Sequence, residues 1–239
     1  STDMAYSWGE VEKWLERITK FATEISFTLD DIVIQGTAKL DGFAGYDDGE
    51  RLYTRGDGNK GSDISRVFER GLGILNDSER GQGPGEIVVK RSYFESHLSN
   101  DFEYPINFQA SLIKEKQLDH FAKDAIKAKA ALFVPVKQLP FWQGSIEEFR
   151  NQFSEIVDEL EAGVDFDIDG VVFEIVNPEL KVHMGSNRKF HRWQIAFKEN
   201  KEKAQVRVTS ITAQVGRTGK ITPVAELEPT QLSGATIYR

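Results

Sequence analysis

The chain has 239 residues, 39% hydrophobic and 28% charged, enough apolar material for one sizeable core or for one domain with part of a second. No stretch approaches the roughly 20 apolar residues of a membrane span, the N-terminus lacks the order of a secretory signal, and the lack of cysteine excludes disulfides, cysteine-held zinc and thiol catalysis, which suits a reducing, cytoplasmic setting. A net charge of −8 argues against non-specific polyanion binding, which Lys and Arg dominate, but leaves room for a local basic surface.

Taken in chain order, Ser7-Trp8-Gly9-Glu10 has capping-box spacing, and Trp8, Val11, Leu15 and Ile18 recur at helical intervals. They predict a helix of about four turns with one packed face. From Asp31 the texture changes to short β-prone runs at 32–34 and 42–46, with Asp48-Gly49 as a hairpin turn before 51–54, the start of an antiparallel sheet. The glycine-rich tract 55–63 and the stretch 76–85 are expected to be loops, better suited to facing a ligand than to forming a core. Residues 86–90, 131–136, 171–176 and 194–197 read as strands, and 119–129 and 145–162 as helices. The capping box Ser145-Ile146-Glu147-Glu148 opens the second, with Phe149, Phe153, Ile156 and Leu160 on one face. Beyond Gln205 two strands, 206–212 and 221–227, flank a turn at 216–219. The remaining 35 or so residues are too few for a closed barrel, so the chain is expected to stop inside a second domain.

Lys39-Leu40-Asp41-Gly42 lies between two predicted strands, which would hold a lysine rigidly at the mouth of a sheet. Alone, the pattern reads more readily as a surface lysine at a turn. It is followed in order by Thr54-Arg55-Gly56-Asp57-Gly58, Gly85-Glu86, Ile168-Asp169-Gly170-Val171-Val172 and Arg192-Trp193-Gln194-Ile195-Ala196-Phe197-Lys198. Last comes Val215-Gly216-Arg217-Thr218-Gly219-Lys220-Ile221-Thr222-Pro223-Val224-Ala225 with Leu227-Glu228-Pro229. Through nearly its whole length the sequence resembles the adenylation domain of NAD-dependent DNA ligases, a branch of the covalent nucleotidyltransferases. Its last segment resembles the opening of the oligonucleotide-binding (OB) fold that follows.

The resemblance implies an α+β fold: an antiparallel-sheet nucleotidyltransferase domain over residues 31–203, a helical lead-in over 1–30, and the first OB-fold strands over 204–239. It implies that Lys39 attacks the adenylyl phosphorus of NAD, expels nicotinamide mononucleotide and passes AMP to the 5′-phosphate of nicked double-stranded DNA. A lysine amine, with a reference pKa of about 10.4, needs help to lose its proton for this. By the same resemblance Asp41 and Asp169 would assist Lys39, directly or through Mg²⁺. Glu86 and Arg55 would contact the ribose and phosphate, Lys198 would stabilise charge on the transferring phosphate, and Ser1, Thr2, Thr37 and Leu40 would line the nucleotide site. No residue is assigned as a metal ligand, and His97, His120, His183 and His191 show no metal spacing. Trp193 reads as packing, and the basic cluster at 188–192 as either a nucleic-acid contact or a solvated loop.

Four positions depart from the family. Thr37 replaces a glutamate, Pro84 and Ile106 replace arginines, and Glu174 replaces a lysine, which reverses a charge that Lys181 is placed to restore. These mark a divergent member, for which a viral or phage source is the expectation. The chain is expected to need a nicotinamide-binding domain and C-terminal OB, zinc and helix-hairpin-helix domains, or a second ligase subunit, before it can seal nicks. Two other readings stay open: an ATP-dependent ligase or capping-type enzyme, and a catalytically weak scaffold subunit.

Overall fold

The computed structural model describes residues 2–54, 61–199, 208–215, 221–232 and 235–237. They form two compact units, Ser1–Lys198 and Glu199–Arg239. The strands in chain order are β1 (Met4–Ala5), β2 (Ile34–Leu40), β3 (Phe43–Asp47), β4 (Leu52–Thr54), β5 (Gly73–Ile74), β6 (Gly83–Val89), β7 (Ala131–Pro135), β8 (Phe141–Gly144), β9 (Ile168–Ile175) and β10 (Gln194–Phe197) in the first unit. The second holds β11 (Val208–Val215), β12 (Ile221–Leu227), β13 (Thr230–Leu232) and β14 (Ala235–Ile237). The class is α+β, as the sequence implied.

The first unit is built on two five-stranded sheets. One runs β1-β10-β9-β2-β8 and the other β4-β3-β6-β7-β5; each has a single parallel pair at one edge, β1 with β10 and β5 with β7, and is otherwise antiparallel. The first sheet is backed by the helices Trp8–Glu24 and Ile146–Ala162, whose apolar stripes bury Val11, Trp14, Leu15, Ile18, Phe149 and Ile156 against Val171, Phe173 and Ile195. The second is backed by shorter helical segments carrying Val67, Phe94, Leu98, Phe108, Leu112 and Ala122. A third, smaller cluster joins Leu40 of the first sheet to Val88, Leu132 and Val134 of the second. The chain passes between the sheets at Asp41-Gly42, directly after Leu40.

Several local expectations shift. Trp14, not Trp8, is the fully buried tryptophan of the N-terminal helix; Trp8 sits at the rim against the Phe149 and Phe153 rings. Ser7 caps that helix by accepting from the Glu10 amide at 3.3 Å, but the Glu10 carboxylate reaches back to the Tyr6 amide at 2.7 Å, so the box closes one residue early. The lead-in is not wholly helical, because Met4–Ala5 is an edge strand. Strand β2 runs on through Lys39, well past the expected 32–34. Strand β6 begins at Gly83, inside the stretch read as loop: neither glycine nor proline favours a strand, yet both are tolerated where tertiary pairing to Asp47 and Tyr46 holds the backbone.

In the second unit β11 pairs antiparallel with β12, with an irregularity between Val208 and Ser210, and β13 pairs antiparallel with β14. The turn expected at 216–219 lies outside the described residues. Among the described residues no helix is long and apolar enough to cross a membrane.

Candidate active site

Along β2 burial alternates, with Ile34, Gly36, Ala38 and Leu40 buried and Gln35, Thr37 and Lys39 partly open. That is the period of two expected of a strand with one face on a core and the other on a cleft. Gly36 is required on the buried face: a Cβ there would lie 2.6 Å from the Phe173 ring. The opposite face looks into an open cleft of about 170 Å³ lined by Thr2, Thr37, Lys39, Leu40, Glu86, Glu174 and Gln194, with Val134, Val136, Leu139 and Val172 as apolar walls.

Lys39 stands at an irregularity in the sheet. The pairing of β2 with β9 runs regularly to Ala38 opposite Val171 and resumes at Leu40 opposite Ile168, so Lys39 alone faces both Asp169 and Gly170. This is a β-bulge, which re-aims side chains. Gly170 has a positive φ of 93°, and a Cβ on it would lie 2.3 Å from the Phe197 carbonyl oxygen. Only glycine allows β10 to approach this closely, and the approach carries Lys198 to the site.

The result is a carboxylate shared by two ammonium groups. Asp169 Oδ1 lies 2.7 Å from Lys198 Nζ, and its Oδ2 lies 3.8 Å from Lys39 Nζ. The hydrogen bond to Asp169 holds the Lys198 pKa above its usual value. Lys39 Nζ also lies 3.8 Å from Met4 Sδ. The parallel edge strand places that methionine there, through Ala196 N donating to Asp3 O and Lys198 N to Ala5 O.

Asp41 is half-buried beside this pair. Burial, with the nearby charges of Asp167 and Asp169, pushes its pKa up, although Lys198 and Lys39 oppose the shift. Burial likewise raises the pKa of Asp167, whose carbonyl accepts from the Asp41 amide at 2.9 Å. Asp167 was not singled out from sequence, yet it precedes Asp169 by two residues, a strand-face spacing that was available to find it. Despite these carboxylates, no group of three or more His, Asp or Glu side chains among the described residues is arranged to hold a metal ion. Asp169 is already engaged by two cations. The residues do not form a protein cage for Mg²⁺.

Of the residues named from sequence, the fold brings Thr2, Thr37, Lys39, Leu40 and Glu86 into one cleft, with Asp41, Asp169 and Lys198 at the Lys39 end. Ser1 and Arg55 lie outside the described residues. Glu174 also lines the cleft, with Gln194 Nε2 3.5 Å from its Oε2. Lys181, the candidate to offset that charge, instead lies 4.2 Å above the Trp193 ring and makes no ion pair with Glu174. In the basic cluster Arg192, though exposed, donates to the carbonyls of Met184 and Ser186, and Arg188 and Lys189 are exposed as well. Trp193 packs beside the core and stacks on His191 at 4.5 Å.

Residues 205–239 match the family model of the NAD-dependent DNA ligase OB-fold domain. Over all 239 residues the chain is 64% identical to a DNA ligase of Ruthia magnifica subsp. Calyptogena magnifica, covering 39% of that protein. It is 53% identical to a DNA ligase of Shewanella baltica, covering 37%, and 31% identical to one of Anaplasma marginale, covering 39%. The chain thus spans less than two fifths of the length of these relatives. It is similar over its full extent to part of bacterial DNA ligases, and its last 35 residues to the OB-fold domain of their NAD-dependent branch.

Proposed function

We propose that this chain is the adenylyl-transferring core of an NAD-dependent DNA ligase, with residues 31–203 as a nucleotidyltransferase domain and Lys39 as its nucleophile. One observation carries the reading: a lysine at a strand bulge faces an open cleft, with a carboxylate and a second, firmly charged lysine beside it. Lys39 Nζ, after losing a proton, attacks the adenylyl phosphorus of NAD. The P–N bond forms as the P–O bond to nicotinamide mononucleotide breaks, and that mononucleotide leaves with the electron pair. AMP then passes from Lys39 to the 5′-phosphate at a DNA nick, and the neighbouring 3′-hydroxyl displaces it.

The residues divide this work. Asp169 orients Lys39, and the raised proton affinity of Asp41 and Asp167 suits them to accept its proton. Lys198 brings fixed positive charge to the phosphoryl oxygens as charge builds there. Glu86 meets the ribose, and Thr2, Thr37 and Leu40 meet the base, with Ser1 and Arg55 as further nucleotide contacts. Asp41 and Asp169, the carboxylates beside Lys39, would face any Mg²⁺ that accompanies the nucleotide, and the ion would supply charge neutralisation at its phosphates. Nick sealing requires parts that the longer relatives possess and this chain does not span.

The test is a peptide map after incubation with NAD labelled in its adenylate, in the presence of the missing regions. Lys39 should gain about 329 Da, the AMP of a lysine phosphoramide. Label that avoids Lys39, or that persists after Lys39→Ala, overturns the assignment.

A further inference from the structure

The described residues bury three polar side chains, Asp47, Gln109 and Ser111. Asp47 holds a surface turn to Arg80, and Ser111 donates to the Phe108 carbonyl within its own helical segment. Gln109 alone reaches the site. It is fully buried at the end of the segment Pro105–Gln109, which Phe108 anchors in the core behind the second sheet. Its Nε2 donates to the Asp41 carbonyl at 2.9 Å, and its Oε1 accepts from the Val89 amide at 3.0 Å.

Asp41 and Gly42 are the two residues by which the chain crosses from the sheet carrying Lys39 to the sheet carrying Glu86. The Asp41 amide is held from the first sheet, by the Asp167 carbonyl at 2.9 Å. The Asp41 carbonyl is held by Gln109, which is itself tied to the end of β6. Gly42 is pressed against the same strand, so closely that a Cβ would lie 2.4 Å from the Ile87 carbonyl oxygen. The crossing is therefore clamped from both sides, and without Gln109 one buried and one partly buried backbone group lose their partner.

We infer that Gln109 is a positioning residue that sets the distance between the Lys39 strand and the Glu86 strand, and with it the aim of Lys39 at the bound nucleotide. The inference rests on the adenylyl-transfer reading, but its structural half is measurable without that reaction. Misplacing reacting atoms by about 1 Å costs on the order of 100-fold in rate. The clamp should therefore act on the chemical step rather than on nucleotide binding.

The experiment compares wild type, Gln109→Met and Gln109→Glu in the full chain with its missing regions supplied. Amide hydrogen exchange reads the clamp directly: Gln109→Met should speed exchange at Val89 at least tenfold while distant strands such as β10 keep their protection. Unchanged exchange at Val89 overturns the clamp, whatever the activity. For the reaction, Gln109→Met should slow labelling of Lys39 at saturating NAD by about 10- to 100-fold, with KM for NAD within about threefold. The carboxyl in Gln109→Glu can donate to the Asp41 carbonyl only while protonated, so its rate relative to wild type should climb as pH falls. A Gln109→Met enzyme labelled as fast as wild type, or slowed only through a raised KM, overturns the positioning role. Wild type left unlabelled at Lys39 would instead refute the adenylyl-transfer reading, leaving the exchange result to judge the clamp.

Discussion

Lys198 and Lys39 share Asp169 unequally, at 2.7 and 3.8 Å, and the inequality bears on their proposed roles. The closer lysine stays charged and fixed; the looser one is freer to move onto phosphorus. Lys198→Met should therefore slow Lys39 adenylylation by about 100-fold or more, the scale of losing one preorganised charge at a reacting centre. Single-turnover labelling measures it, and a loss under threefold would show that Lys198 only braces Asp169. A second residue-scale device sits away from the site. Burial would raise the Asp47 pKa, but Arg80 and the amides of Gly81 and Gly49 outweigh it and hold the group below its ordinary 3.8. A depressed carboxylate stabilises the fold above its unfolded pKa, and that contribution fades as pH falls through the lower folded value. Thermal unfolding should thus show Arg80→Met costing roughly 3 kcal/mol near neutrality, as for a broken buried pair, with the gap from wild type closing in strong acid.

At the scale of elements, the bulge between β2 and β9 matters most. Without the extra residue, Asp169 would move to the opposite face of β9 and leave Lys39, since a one-residue slip inverts a strand. Gly170→Ala should disturb this in two ways, through a backbone conformation that L side chains rarely adopt and through collision with the Phe197 carbonyl. We expect a loss of at least about 1–3 kcal/mol of stability and a larger proportional loss of labelling at Lys39. Denaturant melts and the labelling rate, measured together, separate the two; a melt and rate equal to wild type would rule the bulge unimportant. The long amphipathic elements were legible from sequence, because capping residues and period-3.6 stripes are local. Strand β8, the short helical segments at 66–69 and 91–113 behind the second sheet and the start of β6 were not, since short or glycine-rich segments take their form from the partners they pair with.

At the scale of the whole molecule, the chain carries the proposed chemistry but under two fifths of the length of its relatives. Nick sealing should be absent from the 239-residue chain alone and appear when the remaining regions of a relative such as the Ruthia ligase are supplied in trans or by fusion. Sealing by the isolated chain would show that these residues suffice.

The sequence by itself carried the ligase resemblance and the α+β class, and it singled out Lys39 as the candidate nucleophile with Asp41, Asp169 and Lys198 as its partners. Those rest on residue types at fixed spacing, which a linear pattern preserves. Only the tertiary structure decided that Asp169 serves both lysines across a bulge, that Lys181 turns to Trp193 rather than to Glu174, and that Gln109 reaches the Asp41 carbonyl across 68 positions of chain. Such partners are set by strand register and burial, which bring together residues that no local spacing connects.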